Sequence, residues 1–490
     1  MHNPNLQQLK DTWLPEATIE EIQKKLASND LTSRELVLMY LDQIGTYNQE
    51  IQAVLEVNPD ALQIAESLDV ERKQFGARGP LHGVPVLIKD NIATKDKMHT
   101  SAGSLALATS YAKKDAFVVQ KLREAGAIIL GKTNMTEWAN FMTEGMPSGY
   151  SSRGGQVKNP YGRNFDCGGS SSGSGASVAA NFASFAIGTE TSGSILSPAS
   201  QNSLVGIKPT VGLISRSGII PISHTQDTAG PMTRTVKDAA YVLNAITGFD
   251  ENDPITRTNE SGMFDYTSLL EIKSLAGMKI GIARDFYFQF LSEEKRSVIN
   301  KAIDELSALG AEVVDVTIPS TEAKWTYHVL TYEFKAGVNA YLNEYAGNTE
   351  IQSLTDIIHF NFSHPDSMLK YGQKILLESE NTSGTLTESD YLKSIEMDQY
   401  LSKENGIDYA IGEFQLDAIL FPNNFGAGIP AKAGYPSVTV PAGYTPNGEP
   451  VGITFTGTAF TEAKLIHLAY EYEQATKHRK PPVLEKEKKE

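Results

Sequence analysis

Two clusters of serine and glycine, CGGSSSGSG at 167–175 and GTETSGS at 188–194, flank an alanine-rich segment, and few folds accommodate that arrangement. Residues 174–184 are small apart from Val178 and Phe182, which predicts a short helix smooth enough to lie against another element. Phe185, Ala186 and Ile187 then predict a brief buried strand. A loop, helix, strand unit of this kind folds both clusters back onto one site, with Ser170 and Ser194 as the hydroxyls that carry its chemistry. Glycine suits such loops because it tolerates positive φ and has no side chain to keep backbone N–H groups from a ligand. The competing reading of SSSGS and SGS is a flexible linker, but the apolar segments between them are not linker composition.

Around this unit, strand and helix patterns alternate. Thr18 to Ile44 follows helical spacing in two pieces, broken at Asn29 and Asp30, and the second opens on a capping-box pattern at Thr32 to Glu35. Val86, Leu87 and Ile88 read as a strand buried on both faces that ends on Lys89, Asp90 and Asn91. Residues 115–126 and 235–247 predict helices, 127–130 and 278–283 strands, and 294–310 a helix leading into a strand at 312–316. Strand character returns at 416–421 and 437–440, and a helix over 462–476 closes the chain. The expected fold is therefore one large α/β/α layered domain, residues 1–490, around a mixed, largely parallel sheet. No Pro-, Gly- or Ser-rich linker divides it, and the mostly helical stretch 320–405 is expected to cover the sheet as a wall of the pocket.

Charge and cysteine content narrow the function. A net charge of -16 argues against nucleic acid or an anionic membrane as partner, since both require clustered Lys and Arg, and the terminal LEKEKKE interleaves its lysines with acids. One cysteine excludes an intrachain disulfide framework, and no apolar leader core or run of eighteen apolar residues is present. A cytoplasmic protein is the expectation, an exported form with its leader removed being the alternative. The nine histidines form no HExxH or HxH pattern, so no metal site is expected. His82, His99 and His224 read as backbone partners rather than catalysts. GAIILGKT at 126–133 fits the phosphate-loop pattern, yet its four intervening residues are apolar and want to be a strand, so nucleotide binding is rejected.

With no His/Asp pair in evidence, a serine hydrolase needs another base. Lys89 qualifies only if burial keeps it neutral. Position alone balances that reading against a lysine that snorkels out or pairs with Asp90.

Several segments together carry a resemblance. GVPVLIKDN (83–91), TSAGS (100–104), GAIILGKTNMTEWA (126–139), the two serine clusters, SLVGIKPTVGLIS (203–215) and QDTAGPMTRTVKDAA (226–240) resemble the amidase signature family, densest over 75–245. GYPSVTVPAG (434–443) and PVGITFTGTAFTEAKLIHLAYEYE (450–473) match its closing segment. Within it, QDTAGPM, EWANF, ISRSGIIPIS and YEFKAG (332–337) are similar to bacterial peptide amidases, which hydrolyse the C-terminal carboxamide of peptides.

The resemblance implies a cofactor-independent serine amidase. Ser194 matches the acylated nucleophile, Ser170 the bridging serine that follows a cis peptide bond in relatives, and Lys89 the general base. Backbone N–H groups of Thr191, Ser192, Gly193 and Ser194 match the oxyanion hole. Two departures from the common pattern matter. Ser192 replaces a frequent glycine, and Leu196 and Ser197 stand where many relatives have an arginine, which implies a neutral acyl chain such as a peptide, aryl or alkyl amide. The expected partner is thus a small neutral amide, and a monomer or weak homodimer is the expected state. The alternatives are an amidotransferase subunit that passes ammonia to a partner enzyme, an inactive binding relative, and a cysteine hydrolase using Cys167. Phe141, Met142 and Phe425 are candidates for the pocket lining.

Overall fold

Apolar, β-branched runs set the centre of the sheet. In the computed structural model, which describes residues 2–259, 262, 264–270 and 274–484, every residue of Pro85–Lys89 and of Phe185–Glu190 is buried, as strands covered on both faces by helices must be. The closing segment EKEKKE, 485–490, lies outside the described residues.

The main sheet has 11 strands: β1 (Val54–Val57), β2 (Pro85–Lys89), β3 (Ile128–Thr133), β4 (Phe185–Glu190), β5 (Val205–Lys208), β6 (Thr228–Thr233), β7 (Lys279–Ile282), β8 (Glu312–Asp315), β9 (Ala418–Pro422), β10 (Ser437–Tyr444) and β11 (Pro450–Thr456). They lie in the order β1-β3-β2-β4-β6-β5-β10-β11-β9-β7-β8. The late strands rejoin the early ones in a single domain.

The sheet is mixed, but the expectation of a largely parallel one needs correction. Parallel pairing is confined to two blocks, β3-β2-β4 and β9-β7-β8, and every ladder between them is antiparallel. The physical reason lies in strands whose sequence pattern is weak. β5, β6 and β11 contain Gly206, Gly230, Pro231 and Gly452, residues that lower a strand signal. Gly230 has a packing reason: a Cβ there would come 2.0 Å from Ile207 O on the neighbouring strand.

Helix boundaries follow the expected caps. Thr32 and Glu35 form a capping box at the start of Ser33–Ile51, and the closing helix is Glu462–Thr476. The alanine-rich helix spans Ser172–Ala179 rather than 174–184: it begins inside the first serine cluster and stops before Asn181, whose φ is 60°. GKT lies inside β3, where Lys132 is buried and its Nζ donates to Ile92 O and Thr100 Oγ1, so no phosphate loop exists there.

The stretch 320–405 has His328–Glu344, Leu354–Ser363, Lys374–Glu380 and Ser389–Ser402 as its main elements. Phe334 of the first packs against Trp138 and Phe141, tying this layer to the loop that follows β3.

Candidate active site

Parallel pairing of β2 with β4 brings the C-terminal ends of both strands to the same edge of the sheet, where ligands of α/β proteins bind. Lys89 is the last residue of β2, and the second serine cluster runs from the last residues of β4 into the turn after it. Lys89 is fully buried, and its Nζ lies 2.8 Å from Ser170 Oγ, 2.8 Å from Thr189 Oγ1 and 3.1 Å from Thr189 O. As an ammonium Lys89 donates to all three oxygens; as a neutral amine it donates to the two Thr189 oxygens and leaves its lone pair for the Ser170 hydroxyl. Burial pushes the Lys89 amine down to about 7 against the opposing pull of Asp227 and Glu190.

The alternative partner for Lys89 is otherwise engaged. Asp90 accepts hydrogen bonds from Ser101 Oγ and Gly103 N, and Arg153 Nη1 approaches it at 3.4 Å. Lys89 therefore neither snorkels nor pairs with Asp90.

The two serine clusters are locked together by backbone contacts. Gly168, at φ 68°, packs so tightly on the segment after Ser194 that a Cβ would come 2.5 Å from Pro198 Cα. Ser171 N donates to Ser194 O at 3.1 Å, Thr136 N donates to Ser170 O at 3.0 Å, and the Gly169–Ser170 peptide bond is cis. Ser171 Oγ donates to Thr189 O and accepts from Thr189 N, which fastens the first cluster to the end of β4.

Glu190 fixes the turn that carries Ser194. Its buried carboxylate accepts the N–H groups of Gly193 at 2.6 Å, Ile195 at 2.7 Å and Leu196 at 3.0 Å. Burial pushes this carboxyl up, while those N–H groups and the Lys208 ammonium oppose the shift. One expectation is corrected by this arrangement: the Gly193 N–H is committed to Glu190 and is not available to an oxyanion. The N–H groups of Thr191, Ser192 and Ser194 remain as candidate donors. The left-handed residue of the turn is Gly193, at φ 84°, so a side chain at Ser192 introduces no backbone strain.

Thr191 is held from the other side. Its Oγ1 donates to Asp227, which also accepts from Ile222 N at 2.8 Å and Ser223 N at 2.9 Å, and Gln226 Nε2 donates to Thr191 O at 3.3 Å. Burial raises the Asp227 carboxyl to about 6. Glu190, Asp227 and Thr189 all lie inside the segments that carry the family resemblance, but a buried acid that organises backbone N–H groups has no spacing signature of its own.

Other candidates fall away. Cys167 is buried, its thiol is pushed up to about 12, and Sγ donates to Ser148 O at 3.4 Å, so it packs at the base of the loop instead of attacking a substrate. His82 is buried with Nε2 on Leu68 O at 2.9 Å, and His99 pairs with Glu56.

A cavity of about 260 Å³ opens beside the turn. Ser192 and Gln226 mark the end nearest the turn, and Phe286, Tyr287, Trp325, Tyr327, Leu330 and Phe425 supply apolar wall. Phe425 lines it as expected, whereas Phe141 and Met142 are buried and are not among its lining residues. From the helical layer only the segment 321–330 reaches this cavity. A larger cleft of about 740 Å³, flanked by Glu293–Ala308 and the closing helix, shares no lining residue with these groups.

Comparison with known proteins decides the family. Residues 35–466 match the Amidase family. The chain belongs to the amidase family. A probable amidase of Arabidopsis thaliana is 44% identical over 96% of this chain and 92% of its own length. The crystal structure of a peptide amidase from Stenotrophomonas maltophilia is 43% identical, covers 96% of this chain and 98% of its own, and superposes with a TM-score of 0.89. At lower identity, a glutamyl-tRNA(Gln) amidotransferase polypeptide of Methylobacillus flagellatus is 34% identical over 94% of this chain and 97% of its own. The protein is an amide hydrolase, and no helix among its described residues is long and apolar enough to cross a membrane.

Proposed function

We propose that this amidase hydrolyses the C-terminal carboxamide of peptides through an acyl-enzyme on Ser194, with Ser170 as proton bridge and Lys89 as base. The observation that carries the reading is the buried Lys89 amine, held down to about 7 and 2.8 Å from Ser170 Oγ, beside a backbone tether from Ser171 N to Ser194 O.

Ser194 Oγ bonds to the amide carbon while its proton passes to Ser170 Oγ and the Ser170 proton passes to Lys89 Nζ. The negative charge that develops on the carbonyl oxygen is met by N–H groups of Thr191, Ser192 and Ser194, whose positions Glu190 and Asp227 fix in advance of the reaction. Reversal of the relay protonates the departing nitrogen, so the carbon–nitrogen bond breaks and ammonia leaves. Water then attacks the ester, gives its proton to the same relay, and releases the carboxylic acid and Ser194.

The similarity to the peptide amidase supports a peptide acyl chain, as do Leu196 and Ser197, which offer no cation to a free acyl carboxylate. The test is ammonia release from a panel of peptide amides, fatty amides, glutamine and dicarboxylic monoamides. Fastest turnover of a peptide amide is expected, and a preference for glutamine would move the reading to ammonia supply for a partner enzyme. Incubation with a sulfonyl fluoride followed by peptide mapping should label Ser194, and a label on Cys167 would overturn the chemistry.

A further inference from the structure

The apolar cavity beside Ser192 has one charged side chain among its lining residues, Lys432. It comes from the helix Gly428–Ala433 and is nearly buried. Its Nζ is paired with Asp398 of the covering helical layer, donates to Thr326 O at 3.1 Å and stands 5.5 Å from the centre of the Trp325 ring. Asp398 does not line the cavity, so of this ion pair only the lysine borders the space that a substrate would fill. An ammonium has three N–H groups, and Asp398 and Thr326 O leave one for a ligand.

We propose that Lys432 is a specificity-determining residue that donates this remaining hydrogen bond to an uncharged acceptor on the acyl chain, such as a carbonyl, and excludes cationic side chains from the cavity. The inference rests on the amidase reading and on entry of the acyl chain beside Ser192. A substrate cation brought here meets a like charge among aromatic rings and loses its hydration. A substrate carboxylate gains little, because Asp398 already balances Lys432 and the incoming anion gives up its water. A neutral acceptor makes a charge-assisted bond while its apolar stem packs on Trp325, Tyr327 and Phe425.

The experiment uses two series of amides, N-acetyl-X-amide and N-acetyl-X-alanine amide, in which X is norleucine, lysine or glutamate, so that either of the two residues nearest the scissile amide can fill the cavity. Wild-type enzyme should favour norleucine over lysine by about 10- to 100-fold in kcat/KM in at least one series, because the lysine ammonium meets a like charge and loses its water. Most of that preference should appear in KM. Removal of the whole ion pair in the double variant K432M/D398L avoids leaving a buried charge alone, and it should bring norleucine and lysine to within about threefold. K432R, which keeps the charge, should retain the preference. A preference that survives in the folded double variant, absence of discrimination by the wild type, or a faster reaction with glutamate than with norleucine would each overturn the role of Lys432. Ammonia from none of the substrates would instead remove the peptide-amidase reading itself.

Discussion

The catalytic pit and the helical layer above it are built on opposite principles. In the pit, nearly every position is a backbone group held by a buried side chain: Glu190 takes three N–H groups, Asp227 two, and Ser171 both the N–H and the carbonyl of Thr189. The layer presents side chains instead, with Trp325, Tyr327 and Leu330 turned toward the cavity. Backbone donors fixed at strand ends cannot adapt to different ligands, which suits a charge that always develops in the same place. Side chains on covering helices can be exchanged without disturbing those donors, which suits recognition of a variable acyl chain. Substitutions in the pit should therefore lower kcat, and those in the layer should alter KM and substrate choice.

The sharpest separation comes from the nucleophile. S194A should lose about a millionfold in kcat, the scale seen when a serine hydrolase loses its nucleophile, with an unchanged melting temperature. Ammonia release at a wild-type rate would end the assignment of Ser194. E190Q replaces one acceptor oxygen with an NH2 group that faces a backbone N–H. Loss of one oxyanion donor costs about 100- to 1,000-fold in kcat, and a drop approaching that size with little change in KM is expected here. A change confined to KM would place Glu190 on the recognition side of the comparison.

Protonation gives the next effect. Lys89 can accept a proton only as a neutral amine, and its burial holds it down to about 7. Below that pH the ammonium form accumulates, so kcat/KM for a peptide amide should fall about tenfold per pH unit on the acid side and level off above it. A profile flat from pH 5 to pH 8 would remove Lys89 as the base.

The same division explains what could be read from the chain. The pit was legible because its loops need glycine where backbones touch: Gly168 lies against Pro198, and Gly193 takes the left-handed position of the turn. Lys89 could be placed at a strand mouth by the apolar run before it, although its contact with Ser170 could not. The sheet was only half legible, since β5, β6 and β11 carry glycine and proline where close approach outweighs strand propensity. The cavity wall was least legible. Phe425, Trp325 and Lys432 come from separate segments with no shared spacing, and the pairing of Lys432 with Asp398 exists only once the helices are packed.

Glu333 bridges the two regions, and it yields the smallest predicted effect. This buried residue of the helix His328–Glu344 accepts hydrogen bonds from Ser223 Oγ, Thr225 N at 3.2 Å, Thr225 Oγ1 at 3.1 Å and Tyr391 OH at 2.9 Å. Ser223 N in turn donates to Asp227, which holds Thr191. A layer that only recognised substrate would not need this link to a backbone donor of the pit. In E333Q one oxygen becomes an NH2 group, so the amide either faces the Thr225 N–H with that group and loses the contact, or turns it to the Tyr391 hydroxyl and reverses that bond. Loss of one such buried contact costs about 1–3 kcal/mol of stability. Because Asp227 still anchors the loop, kcat should drop by no more than about tenfold, the kinetic equivalent of roughly 1.4 kcal/mol. Y391F removes only the contact on the helical side and should leave kcat within about twofold of wild type. If E333Q changes KM for different acyl chains and spares kcat, the helix belongs wholly to recognition; if it lowers kcat alike for every peptide amide, the layer also helps to position the oxyanion donors.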